Sequence, residues 1–270
     1  MIIDAHAHAA REYSNPQSII KISKQFDIDK IVLCASPKNN QDLKDPPNIP
    51  FMKSPRGIYL LNRMLRFAYH SFIKDNGDGN KYVFELSKSV PEIVIPFLWV
   101  NPIDKQLMNN LENNIRDYQV RGIKLHQAWN PFRIDSSEFN QLVEVARAKK
   151  LPIFIHLYSK RETQKLLQFI GNNQDVTFII AHMLGLEIFK EERHNLSNVY
   201  FDTSGSERVR GKDILEAINL FGHEHVIFGS DTPYARIGDQ ISKIEQLKLS
   251  DTVKEAIFRL NIEHVLSTSS

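Results

Sequence analysis

The chain has 270 residues, 42% of them hydrophobic and 24% charged, which suits one large domain with a sizeable core and excludes a disordered or fibrous protein. Lys and Arg total 34 against 32 for Asp and Glu and are spread along the chain, so no nucleic acid or membrane surface is indicated, and a small molecule is the expected partner. One cysteine, Cys34, excludes an internal disulfide, no apolar run reaches membrane-spanning length, and the opening turns polar at Asp4, so a cytoplasmic protein without a signal peptide is expected.

Strands and helices alternate along the chain. Strands are predicted at IIDAHAH (2–8), KIVLCAS (30–36), IVIPFLWV (93–100), RGIKLHQ (121–127), LPIFIHLY (151–158), VTFIIAH (176–182), NVYFDTS (198–204) and HVIFGSD (225–231). Between them lie helical patterns. PQSIIKISKQF sets Ile19, Ile22 and Phe26 on one face, and SSEFNQLVEVARAKK opens on a serine cap with Glu138 behind it. Near-continuous apolar strands separated by helices predict a parallel α/β sheet, and eight such units over roughly 250 residues match a (β/α)8 TIM barrel. A doubly wound sheet is the competitor, but it calls for a glycine-rich turn after the first strand, and MIIDAHAHAA has no glycine. The whole of 1–270 therefore reads as one barrel. Residues 37–91 form a large helical insertion after strand 2, with helices in GIYLLNRMLRFAYHSFIKD and KYVFELSKS. Its aromatic content suits a cap over the barrel mouth, and a homodimer contact is the alternative.

Ionisable residues recur where these strands end. His6 and His8 close strand 1, Lys124 and His126 strand 4, His156 strand 5, His182 strand 6, Asp202 strand 7 and Asp231 strand 8. Strand periodicity puts Asp4, His6 and His8 on one side and Ile3, Ala5 and Ala7 on the other. A lone histidine of this kind is ordinarily a satisfied core residue, whereas a set at the ends of several strands of one ring points to a metal site at the barrel mouth. His6, His8, His156 and Asp231 offer imidazole and carboxylate ligands suited to one zinc, or to manganese or another transition metal. Such an ion makes bound water acidic enough to serve as a nucleophile. His182 would orient that water or polarise a carbonyl, and Asp231 would carry its proton.

The motifs DAHAH, GIKLH, IFIHL, IIAHM, VIFGSDTPY and the closing RLNIEHVL resemble the amidohydrolase superfamily. More narrowly, they look like its amidohydrolase 2 branch, which includes aminocarboxymuconate semialdehyde decarboxylase. The resemblance covers the chain outside residues 37–91 and implies a mononuclear, usually zinc, barrel. It implies that His6, His8, His156 and Asp231 bind the metal, with His182 acting on water or substrate. It also implies a metal-dependent hydrolase of a lactone, ester or amide, with non-oxidative decarboxylation of an unsaturated or aromatic acid as the alternative. Lys124 is expected to bind a substrate oxygen or pair with a site carboxylate, although in binuclear relatives a lysine there is carboxylated and bridges two metals. His126, Trp129 and Arg133 are further substrate-binding candidates. Arg133, Arg208 and Arg236 each follow a strand and could fork a substrate carboxylate. Asp202 is expected either to orient a ligand histidine or to cap a loop.

Overall fold

A computed structural model of the chain describes residues 1–36, 59–60, 62–64, 79–205 and 208–267. Most of the expected insertion, including the aromatic stretch proposed as a cap, lies outside the described residues. The expected strands are present, with one difference. In chain order they are β1 (Ile2–His8), β2 (Ile28–Cys34), β3 (Val94–Pro96), β4 (Leu98–Trp99), β5 (Ile123–His126), β6 (Ile153–His156), β7 (Phe178–Ile180), β8 (Val199–Asp202) and β9 (Val226–Ile227). The run expected as a single strand at 93–100 is split into β3 and β4. Pro96 has no N–H for a ladder, and at Phe97 the backbone donates back to Leu33 O at 3.0 Å.

All neighbours pair in parallel and in sequence order, β1 to β3 as one ladder and β4 to β9 as another. Phe97 spans the break between them, and an isolated parallel bridge from Ala7 to Thr232 closes the ring. This is the (β/α)8 barrel. Around it stand α1 (Pro16–Phe26), α2 (Gly79–Ser89), α3 (Lys105–Asn109), α4 (Leu111–Asp117), α5 (Ser137–Ala148), α6 (Lys160–Gly171), α7 (Leu186–Phe189), α8 (Gly211–Phe221), α9 (Ile237–Glu245) and α10 (Asp251–Glu255), with α11 (Asn261–Ser267) across one end. Local chemistry sets the ends of α1. The Asn15 side chain accepts from Ser18 N, Pro16 occupies the first turn, and Asp27 leaves in the left-handed conformation. Ile19 is fully buried from this helix, a contribution of about 1.5–3 kcal/mol.

The barrel interior is a separate apolar cluster. It takes Ile3 and Ala5 from β1, Val32 and Cys34 from β2, Phe154, Ile179, Tyr200 and Ile227 from later strands, and Phe97 from the break. Residues Ile262, Val265 and Leu266 of α11 join it, and Arg121 holds Leu266 O at 2.8 Å, so this helix plugs the end opposite the histidines. Burial pushes the Cys34 thiol up to about 12, which suits a packing residue and not a nucleophile.

Strand β1 corrects one expectation. Ile3 and Ala5 face the interior, yet Ala7 packs in the outer core. Asp4 pairs with Ile31 and Ala7 with Leu33, three residues of β1 against two of β2. This bulge reverses the alternation, so Asp4 points outward while His6 and His8 turn into the mouth.

Candidate metal centre

His6, His8 and Asp231 converge at the barrel mouth, all buried, with one ligand atom from each lying within 4.8 Å of the others. Asp231 Oδ1 stands 3.5 Å from His6 Nε2 and 3.5 Å from His8 Nε2. The other ring nitrogens set the tautomers. His8 Nδ1 donates to the carbonyl of Ala35 at 2.8 Å, and His6 Nδ1 donates to Asp202 Oδ2 at 2.9 Å. Both Nε2 atoms therefore turn lone pairs toward a carboxylate oxygen, an arrangement that calls for a cation between them. Lys124 answers part of that call, its Nζ 2.7 Å from His6 Nε2 and 4.0 Å above the Phe154 ring. The donor set fits a divalent ion.

The electrostatics agree. Burial pulls His6 down to about 4, with the Lys124 charge adding to the effect, and burial pulls His182 down to about 3. His156 and His126 are lowered further by burial and by their mutual proximity to other imidazoles. Burial alone would raise Asp231, but His182 and His6, then His8 and Arg208, outweigh it and hold the acid well below its ordinary range. His6, His126, His156 and His182 are thus held toward the neutral form beside an ionised carboxylate.

Asp202 orients this ring. Its Oδ2 also accepts from the backbone N–H of His182 at 3.2 Å, and its Oδ1 from Ser204 N at 3.0 Å. Ser204 Oγ lies 2.8 Å from His182 Nδ1 and bonds Asp202 as well. His182 occupies a left-handed turn with φ 56°, and its Nε2 stands 3.9 Å from Asp231 Oδ2. Gly229 lets these groups abut, because a Cβ there would lie 2.7 Å from His6 Cβ and collide with the Asp202 carboxylate.

The remaining expected residues divide. His156 sits in the same ring, stacked on His126 at 3.9 Å and edge-on to His182 at 5.0 Å. Its Nε2 donates to Asn62 Oδ1 at 2.9 Å, so it stands outside the convergent trio. Trp129 meets His126 edge-on at 5.8 Å. Arg133 is not brought to the mouth: its side chain is 68% exposed and forks Asp135 instead. Arg236 is exposed too. Arg208 takes the place expected for such an arginine, its Nη1 3.6 Å from Asp231 Oδ2 and its side chain 21% exposed.

Three contributors escaped the sequence reading. Trp99 stacks on His126 at 5.6 Å, Tyr234 stands edge-on to His8 at 5.3 Å, and Asn62 reaches Leu157 O at 2.9 Å besides His156. The position of Trp99 at a strand end, and of Tyr234 two residues beyond Thr232, were the available signals; Asn62 had none.

The model of a family described as amidohydrolase matches residues 3–267. No curated protein matches the chain by sequence. In fold the chain is similar to a 2,6-dihydroxybenzoate decarboxylase from Rhizobium, at 12% identity and a TM-score of 0.68 over 100% of this chain and 99% of that one. It is similar also to a dihydroxybenzoic acid decarboxylase from Polaromonas sp. JS666 with bound manganese and the inhibitor 2-nitroresorcinol, at 14% identity and a TM-score of 0.66, over 100% and 97% of the two chains. A 4-oxalomesaconate hydratase from Rhodopseudomonas palustris shares 16% identity with a TM-score of 0.67, over 99% and 96% of the chains.

Proposed function

The chain belongs to the amidohydrolase family, and from that premise we propose that it is a metal-dependent, non-oxidative decarboxylase of a hydroxylated aromatic acid. The observation that carries this reading is the Arg208 guanidinium, 3.6 Å from Asp231 and largely buried, a cation set where a substrate carboxylate would lie. The rings of Trp99 and Tyr234 beside His8 suit a planar substrate. Similarity in fold to dihydroxybenzoate decarboxylases supports it. This order reverses the one the motifs suggested, in which hydrolysis of a lactone, ester or amide came first.

His6, His8 and Asp231 would hold one divalent ion. Manganese in a neighbour of the same fold makes it as strong an expectation as zinc. The ion would supply positive charge beside the substrate's oxygens. His156 would join as a fourth ligand only on releasing Asn62. In the reaction, the bond from ring carbon to carboxylate breaks, its electron pair takes up a proton at that carbon, and carbon dioxide leaves. No water, oxidant or reductant is consumed. Arg208 binds the carboxylate, Lys124 a neighbouring oxygen, and Trp99, Trp129 and His126 orient the ring. The proton comes from solvent: Asp231, ionised at rest, takes it up at Oδ2 only with substrate in place and delivers it to the ring carbon, with the neutral His182 Nε2 3.9 Å from that oxygen.

Given Mn2+ or Zn2+ and a panel of dihydroxybenzoates, the purified chain is expected to release carbon dioxide and the decarboxylated arene in equal amounts. Turnover of lactones, esters or amides with no gas from any aromatic acid would overturn the reading in favour of hydrolysis.

A further inference from the structure

We propose that Asp4, which makes no contact with the convergent ligand atoms, is a positioning residue for Asp231, acting through Ser230. The proposal rests on reading Asp231 as a cation ligand. Asp4 is fully buried and each of its partners donates to it. Oδ1 accepts from Ser230 N at 2.9 Å and from His6 N at 3.2 Å; Oδ2 accepts from Ser230 Oγ at 2.6 Å and from Tyr13 OH at 3.3 Å. Ser230 Oγ in turn accepts from Thr232 N at 3.0 Å and touches Thr232 Oγ1 at 2.8 Å. The residues on both sides of Asp231 are therefore tied, through one hydroxyl, to a carboxylate on β1.

Two features show why the turn needs such a tie. Strand β9 ends at Ile227, and beyond it the two edges of the ring meet through the isolated Ala7 to Thr232 bridge and single backbone bonds, Ala5 N to Phe228 O at 3.1 Å and His8 N to Thr232 O at 2.8 Å. Asp231 thus lies in a turn and not within a strand. Moreover, Asp231 sits at φ 59°, a left-handed conformation that is unfavourable for a non-glycine residue and persists only where neighbours over-determine it. Its own N–H donates to His6 O at 2.7 Å, so β1 grips the turn at Ser230, Asp231 and Thr232 together. Freed of Asp4, the turn would relax and carry the carboxylate off the two imidazoles. The bulge that points Asp4 outward makes the division of labour possible: one strand supplies two ligands to the mouth and, from its other face, the clamp for the third.

The test is Mn2+ affinity by titration calorimetry, read beside the melting temperature. Asp4→Asn and Ser230→Ala are expected to weaken binding about tenfold or more, the range seen when groups that orient metal ligands are lost. Ser230→Ala keeps both N–H bonds to Oδ1 and serves if Asp4→Asn does not fold. The control is Asn261→Ala, which removes buried bonds to Val226 O and His223 O at the opposite end of β9; it should lower the melting temperature and leave affinity unchanged. Clamp variants that lose melting temperature like the control but keep wild-type affinity would overturn the proposal alone. Wild-type affinity in Asp231→Asn would overturn the ligand reading, and the proposal with it.

Discussion

In the proposed reading, a single guanidinium decides how the mouth treats a substrate. Arg208 faces the outer oxygen of Asp231, while the inner oxygen faces the two imidazoles. A charge-assisted hydrogen bond from Arg208 to a substrate carboxylate would contribute about 1.5–3 kcal/mol. Arg208→Gln is therefore expected to lower kcat/KM for an aromatic acid about 10- to 150-fold, chiefly through KM, with cation affinity close to wild type. Steady-state kinetics beside a Mn2+ titration would check this, and an unchanged KM would place the substrate carboxylate elsewhere. The sequence singled out Arg133 as a substrate-binding candidate and offered Arg208 and Arg236 beside it, each shortly after a strand. Only packing separates them: Asp135 claims Arg133, Arg236 faces solvent, and Arg208 turns inward.

Among the elements, the strands were readable because most are buried on both faces, and α1 and α5 because Asn15 and Ser136 cap them with side-chain bonds to Ser18 N and Phe139 N. What the pattern could not reveal were departures from its own period. The β1 bulge separates Asp4 from His6 and His8, and it depends on pairing with β2 that no local spacing encodes. The break after β3 depends on the Phe97 ring lying over Gly122, where a Cβ would collide with it. The bond from Asn62 to His156 joins residues distant in the chain. Of the ring of ionisable residues, the strand-end rule found His6, His8, His126, Lys124, His156, His182 and Asp231, all of them buried. It could not tell which lone pairs face one another, since that follows from the second nitrogen of each ring and its partner.

At the scale of the whole molecule, gathering neutral imidazoles in one buried mouth makes stability depend on pH. His6, His126, His156 and His182 all have folded values held below the ordinary 6.5 by burial. Below about pH 6.5 the unfolded chain binds more protons than the folded one, so stability falls as pH drops toward 4, each group contributing up to about 1.4 kcal/mol per pH unit. Asp4, which burial pushes up to about 7, works the other way over that range and cancels about one imidazole. Asp231 and Asp202, both depressed, lose their contribution only below about pH 4. Metal-free protein should therefore melt at steadily lower temperature from pH 6.5 to 4.5. Thermal unfolding in chelator across that interval would show it, and a flat profile would contradict the buried neutral ring.

Everything proposed for the chemistry requires that Asp231 and the first strand grip one ion. Anomalous diffraction from crystals grown with Mn2+ measures this most directly. The expected result is one strong peak bonded to His6 Nε2, His8 Nε2 and Asp231 Oδ1, with Lys124 drawn away from His6. A saturated crystal with no peak at the mouth, or with manganese held by other residues, would contradict the account.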